Sequence, residues 1–376
     1  MKRKLVLCLA ALFSAAFFPL RAYAAVPKLS AQSMVLVNQD SGSVLTAKNE
    51  NERRAIASTT KIMTALLTLE SAEEKNREIT VTPEMIRVEG SSMGLRAGDR
   101  LTLHDLAVGM LMVSGNDAAD TAAIAVGGSL DRFAAMMNAK AASLGMNNSH
   151  FVTPSGLDDA EHYSTARDLS VLACAAMQDR DFASIVRQKS MKVHFLNPDE
   201  IHDYGNHNKL LQLYPSCTGI KTGFTKKAGR CLVSAAERNG VRLIAVTLGD
   251  PDDWDDHEAL FDYGFSQLKN QKVDDSSLRL RENVVGGMEP SVAVAGSSGA
   301  DVVVGASDQV TRTVEMPQFL YAPVETGQVV GYVRYGCAGR TVARTELVAS
   351  QGVAHAVMPK NWFQVFWEGL KRLLSG

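Results

Sequence analysis

A serine and a lysine three residues apart, Ser58 and Lys61, open an apolar run in AIASTTKIMTALL (Ala55–Leu67). At that spacing on a helix the two side chains share a face. A serine hydroxyl is a weak nucleophile at neutral pH and needs an adjacent base. Lysine serves as that base only when neutral, a state favoured by burial and by a second cation nearby. Lys61 sits beside Ile62 and Met63, and no histidine lies close to Ser58 in the chain. Ser58 in a first helical turn also leaves backbone N–H groups free beside its oxygen, as an oxyanion hole requires. The competing reading is structural, with Ser58 as a helix cap and Lys61 as a solvated charge.

Two further motifs bear on that choice. Ser114-Gly115-Asn116 follows Ser58 by 56 residues, and Lys221-Thr222-Gly223 follows Ser114 by 107. Each is common alone. The ordered set, each member in a suitable local structure, is specific. Lys221 supplies the second cation if the fold brings the motifs together. Lys221 and Thr222 offer a cation and a hydroxyl suited to a carboxylate. Gly223 keeps a strand edge open to an extended ligand. Asn116 brings an amide that donates and accepts.

The set resembles the active-site-serine, penicillin-recognising proteins. ASTTKIMTALL, SMGLRAGDRLTLHDLAVGMLMVSGNDAAD, HFVTPSGLDDAEHYSTARDLS, NHNKLL and GIKTGFTKKAG are similar to the low-molecular-mass D-alanyl-D-alanine carboxypeptidases, serine peptidase family S11, from about Val26 to Leu268. The resemblance implies peptidoglycan stem peptides ending in D-Ala-D-Ala as substrate and β-lactams as inhibitors that trap the same ester. It implies Ser58 as nucleophile, Lys61 as base and Ser114 as proton relay, where a helix-end cap is the structural alternative. Asn116, Lys221, Thr222 and Gly223 would bind substrate, and the backbone N–H groups of Ser58 and Phe224 would form the oxyanion hole. No metal or cofactor is required. Three positions depart from the pattern: Thr218 where many members are acidic, Phe224 where many have His, and His207 where some have Arg. Two alternatives are a β-lactamase, with Glu161 as the tempting deacylation base, and a non-catalytic peptidoglycan-binding or β-lactam-sensing protein.

The elements that must position these residues follow from periodicity. Gln32–Thr46 reads as two strands around a turn, and a helix starts near Ser58. Two helices meet at Ser114-Gly115-Asn116, another covers Leu130–Leu144, and one runs from about Thr165 to Gln178. Three strand runs from Cys217 suggest an antiparallel meander, closed by the helix WDDHEALFDYGFSQL. Strands, then helices, then strands make an α+β fold, a β-lactamase/DD-peptidase-like domain with helices packed on an antiparallel sheet. After about Val273 only short β runs remain, giving a small all-β domain.

The two ends of the 376-residue chain read differently. Basic MKRK, an apolar run and Ala22-Tyr23-Ala24 make a secretory signal peptide. Its removal takes away Lys2, Arg3, Lys4 and Arg21, so the formal net charge goes from −2 to −6. Nucleic acid is no expected partner. Cys174, Cys217, Cys231 and Cys337 are too widely spaced for a disulfide framework or a zinc site. At the far end, Trp362, Phe363, Phe366, Trp367, Leu370, Leu373 and Leu374 share a helical face flanked by Lys360, Lys371 and Arg372. Such a helix suits the plane of a membrane interface and is too short to span. The expected layout is signal peptide 1–24, catalytic domain 25–273, β-rich domain 274–357 and anchor helix 358–376. The expected location is the outer face of the bacterial cytoplasmic membrane, peripherally bound.

Overall fold

The computed structural model describes residues 25–337, 339–356 and 362–374; the expected leader, 1–24, lies outside the described residues. A break after Gln267 separates two compact units.

The first unit begins with β1 (Ser33–Asn38) and β2 (Val44–Lys48). A 3-10 turn, Ala57–Thr60, runs directly into α1 (Lys61–Lys75). Next come α2 (Leu103–Met112), α3 (Asn116–Gly127), α4 (Leu130–Ser143), α5 (Ala166–Ala176) and α6 (Arg180–Val186). β3 (Cys217–Thr225), β4 (Gly229–Arg238) and β5 (Val241–Leu248) form the meander, and α7 (Asp253–Gln267) closes the unit. The sheet order is β2-β1-β5-β4-β3, and every pairing is antiparallel. An antiparallel sheet with helices packed against it is the α+β architecture expected from the chain's periodicity. Serine and lysine motifs sit where turn and helix meet, and the KTG motif lies on the sheet's edge strand.

α1 is the central helix. Every residue from Lys61 to Leu69 is buried, as expected of a helix enclosed on all sides. Ile62 and Met63 are fully buried, each contributing about 1.5–3 kcal/mol by leaving water. Polar caps fix the surrounding helices. Thr102 and Asp105 form a reciprocal capping box on α2, and the Thr165 hydroxyl accepts the Asp168 N–H at the start of α5.

Several elements escaped the periodicity, the short helix α6 among them. The hairpin Ser190–Leu196 with Asp199–Gly205 alternates only weakly, because its second strand is almost wholly exposed. The strand Leu268–Asp274 pairs with Gly299–Gly305, so the second unit starts at Leu268 and not after Val273. Polar KNQ in that strand hid its pattern.

In the second unit a six-stranded sheet encloses Val292, Val294, Val333 and Leu347. Its polar centre is Asp275, fully buried, which accepts the Tyr335 hydroxyl at 2.7 Å and bonds to Thr345 and Arg312. A last helix, α8 (Trp362–Leu374), leaves Val365, Phe366, Trp367, Leu370, Leu373 and Leu374 exposed. Among the described residues all four cysteines are free thiols.

Candidate active site

The 3-10 turn places Ser58 one turn before Lys61, and Lys61 is completely buried. Its Nζ lies 3.1 Å from Ser58 Oγ, 2.7 Å from Asn116 Oδ1 and 2.6 Å from the Ser155 carbonyl. Asn116 Nδ2 donates to the Glu89 carbonyl at 2.6 Å, which turns the amide oxygen towards the lysine. Both Asn116 Oδ1 and the Ser155 carbonyl can only accept. A neutral amine has two N–H groups, which they engage, and its lone pair then faces Ser58. A neutral Lys61 can then accept the Ser58 hydroxyl proton across 3.1 Å. Burial, chiefly, and the nearby Lys221 charge hold the Lys61 pKa well below its usual value, against Asp120 and Asp117.

Three consecutive residues of the 154–156 loop dock on this turn and the first turn of α1. Thr64 donates to the Pro154 carbonyl at 2.7 Å, Lys61 to that of Ser155, and Gly156 abuts Ala57. Gly156 has φ +81°, and a Cβ there would stand 2.1 Å from the Ala57 carbonyl oxygen, so only glycine fits. His162 braces the same turn. Its Nδ1 accepts the Val152 N–H at 3.0 Å, so Nε2 carries the proton and donates to Thr60 Oγ1 at 2.8 Å. Thr60 passes a bond on to the Ala57 carbonyl at 2.8 Å.

Burial, first, lowers the His162 pKa from 6.5 to about 4. Between those values the unfolded chain binds a proton that the folded one does not, so stability falls as pH drops. The shift corresponds to about 3 kcal/mol. The stability advantage of wild type over His162→Gln should therefore shrink from pH 6.5 to about 4, measured by urea unfolding at each pH. Parallel curves would remove His162 from this role.

Ser114 and Asn116 lie across the cleft. Ser114 holds a left-handed backbone, φ 60°, of the strained kind that needs support from its surroundings. The cap of α3 is Gly115, without a side-chain bond; Ser114 is not the cap, and it lines the cleft. Asp117 secures the neighbouring loop by accepting from the N–H groups of Met93, Gly94 and Leu95 at 2.9–3.0 Å and from Ser92 Oγ.

The third wall is the edge of β3. Gly223 packs on the Ala57–Thr60 turn: a Cβ there would stand 3.0 Å from the Ser58 and Thr59 nitrogens. Lys221 is buried, and burial lowers its pKa to about 7. Ser58, Ser91, Ser114, His207, Lys209, Thr222, Gly223, Phe224, Arg230, Asp253 and Trp254 line a cleft of 360 Å³. All three motifs thus converge. His207 lines the same cleft, whereas Glu161 is exposed and its carbonyl bonds to His150. Sequence reasoning missed the supports Asp117, Ser155, Gly156 and His162, and the cleft residues Lys209, Arg230, Asp253 and Trp254. The only signal for the supports was the polar PSG and EHYST text beside an apolar helix.

A Ser–Lys pair at a helix start, faced by a polar loop and a sheet edge on this α+β scaffold, defines the class of active-site-serine hydrolases. A family model described as D-alanyl-D-alanine carboxypeptidase matches residues 21–252, and the chain belongs to that family. Residues 269–355 match the penicillin-binding protein 5 C-terminal domain. D-alanyl-D-alanine carboxypeptidase DacF of Bacillus subtilis is 29% identical over 339 residues, covering 87% of this chain and 86% of that protein. DacB2 of Mycobacterium tuberculosis is 38% identical over 249 residues, covering 64% and 84%. Penicillin-binding protein 5 of Haemophilus influenzae superimposes with TM-score 0.66 at 29% identity, over 88% of this chain and 99% of that one.

Proposed function

We propose that Ser58 is the nucleophile and Lys61 the general base of a serine-type D-Ala-D-Ala carboxypeptidase. The chain is a peptidase of that kind, and peptidoglycan stem peptides are its substrate class. The observation that supports the residue roles is the hydrogen-bond set of buried Lys61, in which two acceptors engage the N–H groups of the neutral amine and Ser58 Oγ stands 3.1 Å away. Ser58 Oγ attacks the carbonyl carbon of the penultimate D-Ala as its proton passes to Lys61 Nζ. Negative charge builds on the carbonyl oxygen, beside the backbone N–H groups of Ser58 and Phe224. Collapse breaks the C–N bond, and the proton returns through Ser114 to the leaving nitrogen, releasing D-Ala. Water then hydrolyses the ester by the reverse proton route. Lys221 and Thr222 receive the terminal carboxylate. A β-lactam offers the same carbonyl and carboxylate and forms the same ester.

Wild type should gain the mass of one penicillin and release D-Ala from diacetyl-Lys-D-Ala-D-Ala, and Ser58→Ala should do neither. Labelling that survives Ser58→Ala would exclude Ser58 as nucleophile. A β-lactamase reading lacks its base, since Glu161 is exposed and outside the cleft.

Export through a cleaved leader, and peripheral attachment at the outer face of the cytoplasmic membrane, complete the proposal. Among the described residues no helix is long and apolar enough to cross a membrane. The exposed apolar face of α8 supports interfacial binding. Mature protein should sediment with anionic lipid vesicles, and a form ending before residue 358 should stay in the supernatant. Equal sedimentation would refute the anchor.

A further inference from the structure

The cleft continues past the reacting groups. Beyond Phe224 lies a second cationic position that the mechanism does not use. Arg230 is paired across the sheet with Phe224. Its Nε and Nη2 donate to Asp253 Oδ1 at 3.0 and 2.5 Å, and its Cζ lies 5.3 Å from the centre of the Trp254 ring. The Asp253 side chain is 3% exposed, whereas that of Arg230 is 40% exposed. A buried carboxylate and an aromatic face thus pin a guanidinium that lines the cleft. Lys226 and Lys227, on the same hairpin turn, add positive charge.

The register along β3 gives this position a place in the substrate. In the proposed function the terminal carboxylate sits at Lys221 and Thr222, and the scissile carbonyl at the Phe224 N–H. A peptide lying antiparallel to β3 then carries its upstream residues beyond Phe224, level with Arg230. His207 and Lys209 belong to the rest of the cleft lining.

We propose that Arg230, held between Asp253 and Trp254, determines specificity by binding a side-chain carboxylate on the residue that precedes the two D-alanines. This rests on the proposed carboxypeptidase function. A partly desolvated guanidinium–carboxylate pair carries charge-assisted hydrogen bonds, which corresponds to a preference of about tenfold to a hundredfold.

The test compares two peptides, acetyl-L-2-aminopimelyl-D-Ala-D-Ala with its side-chain carboxyl free and the same peptide with that group as a carboxamide. The ratio of kcat/KM for D-Ala release, acid over amide, should be ten or more for wild type. It should fall to about one for Arg230→Gln. Because that change orphans buried Asp253, the double variant Arg230→Gln/Asp253→Asn provides a second measurement, and one covalent penicillin per chain verifies folding. A wild-type ratio near one with brisk D-Ala release leaves the function standing and overturns the inference. An unchanged high ratio in both variants also overturns it, leaving Arg230 as the partner of Asp253 only. No release from either peptide by wild type would sink the function, and the inference with it.

Discussion

Lys61→Met should lower the rate of acylation by penicillin by about 10²- to 10⁴-fold, the usual contribution of a positioned general base. The methionine fills most of the volume but leaves Asn116 Oδ1 and the Ser155 carbonyl without their buried donor. Each orphaned acceptor costs about 1–3 kcal/mol, offset in part because the desolvation cost of burying the polar amine has also been removed. Lys61→Arg should not rescue the rate, since a guanidinium stays protonated. The pH dependence has a definite sign. Acylation needs neutral Lys61, so wild type loses rate as pH falls through its lowered pKa. Burial does most of the lowering and the Lys221 charge adds to it. Lys221→Gln should therefore move the acidic limb to higher pH. Asp120 and Asp117 act on Lys61 in the opposite sense, and Asp120 itself is raised to about 6 by burial. Stopped-flow acylation with a fluorescent penicillin from pH 5 to 9 would measure these limbs. An acidic limb that persists unchanged in Lys61→Met would assign the base elsewhere.

Gly223→Ala should cost about 10²-fold in acylation while the protein stays folded. A methyl group at this position would stand 3.0 Å from the Ser58 and Thr59 nitrogens and 3.1 Å from the Ile56 carbonyl oxygen. These contacts are with backbone, which cannot rotate aside, so β3 must move away from the nucleophile turn by a few tenths of an ångström. The stability cost should be that of mild overpacking, about 1–3 kcal/mol. The rate cost is larger because the two proposed oxyanion donors, on Ser58 and Phe224, lie on the two elements that are pushed apart. Losing one such donor typically costs 10²- to 10³-fold. Acylation kinetics and thermal unfolding on the same preparation separate the two effects. Wild-type acylation by Gly223→Ala would show that the closeness of strand and turn does not matter for the reaction.

Both predictions concern residues whose types were visible in the chain, and much of the site was legible there. Ser58, Lys61, Ser114, Asn116 and Lys221-Thr222-Gly223 were identified because their spacing repeats at recognisable places, a helix start, a helix junction and a strand. Burial of Lys61 followed from its apolar neighbours. The longer helices and the meander followed from periodicities of 3.6 and 2, whereas the seven-residue α6 did not. The hairpin 190–205 and the strand Leu268–Asp274 did not, since their exposed or polar residues carry no alternation. Nor did the capping of α3, where Gly115 is the cap and not Ser114, whose structural alternative was that role.

By itself the sequence determined which groups are candidates for the chemistry and most of the elements that carry them, because reaction type follows from residue type and local periodicity from local packing. Tertiary structure alone decided how those groups are held. His162 reaches Thr60 across 102 positions, and Ser155 reaches Lys61 across 94. The Phe224–Arg230 level of the cleft meets Asp253 and Trp254 from another element. Contacts of that range depend on which faces of helices and strands come together when the core closes, and no local pattern encodes them. The same closure buries both Lys61 and Lys221, and that burial is what lowers the Lys61 pKa, as the proposed base role requires.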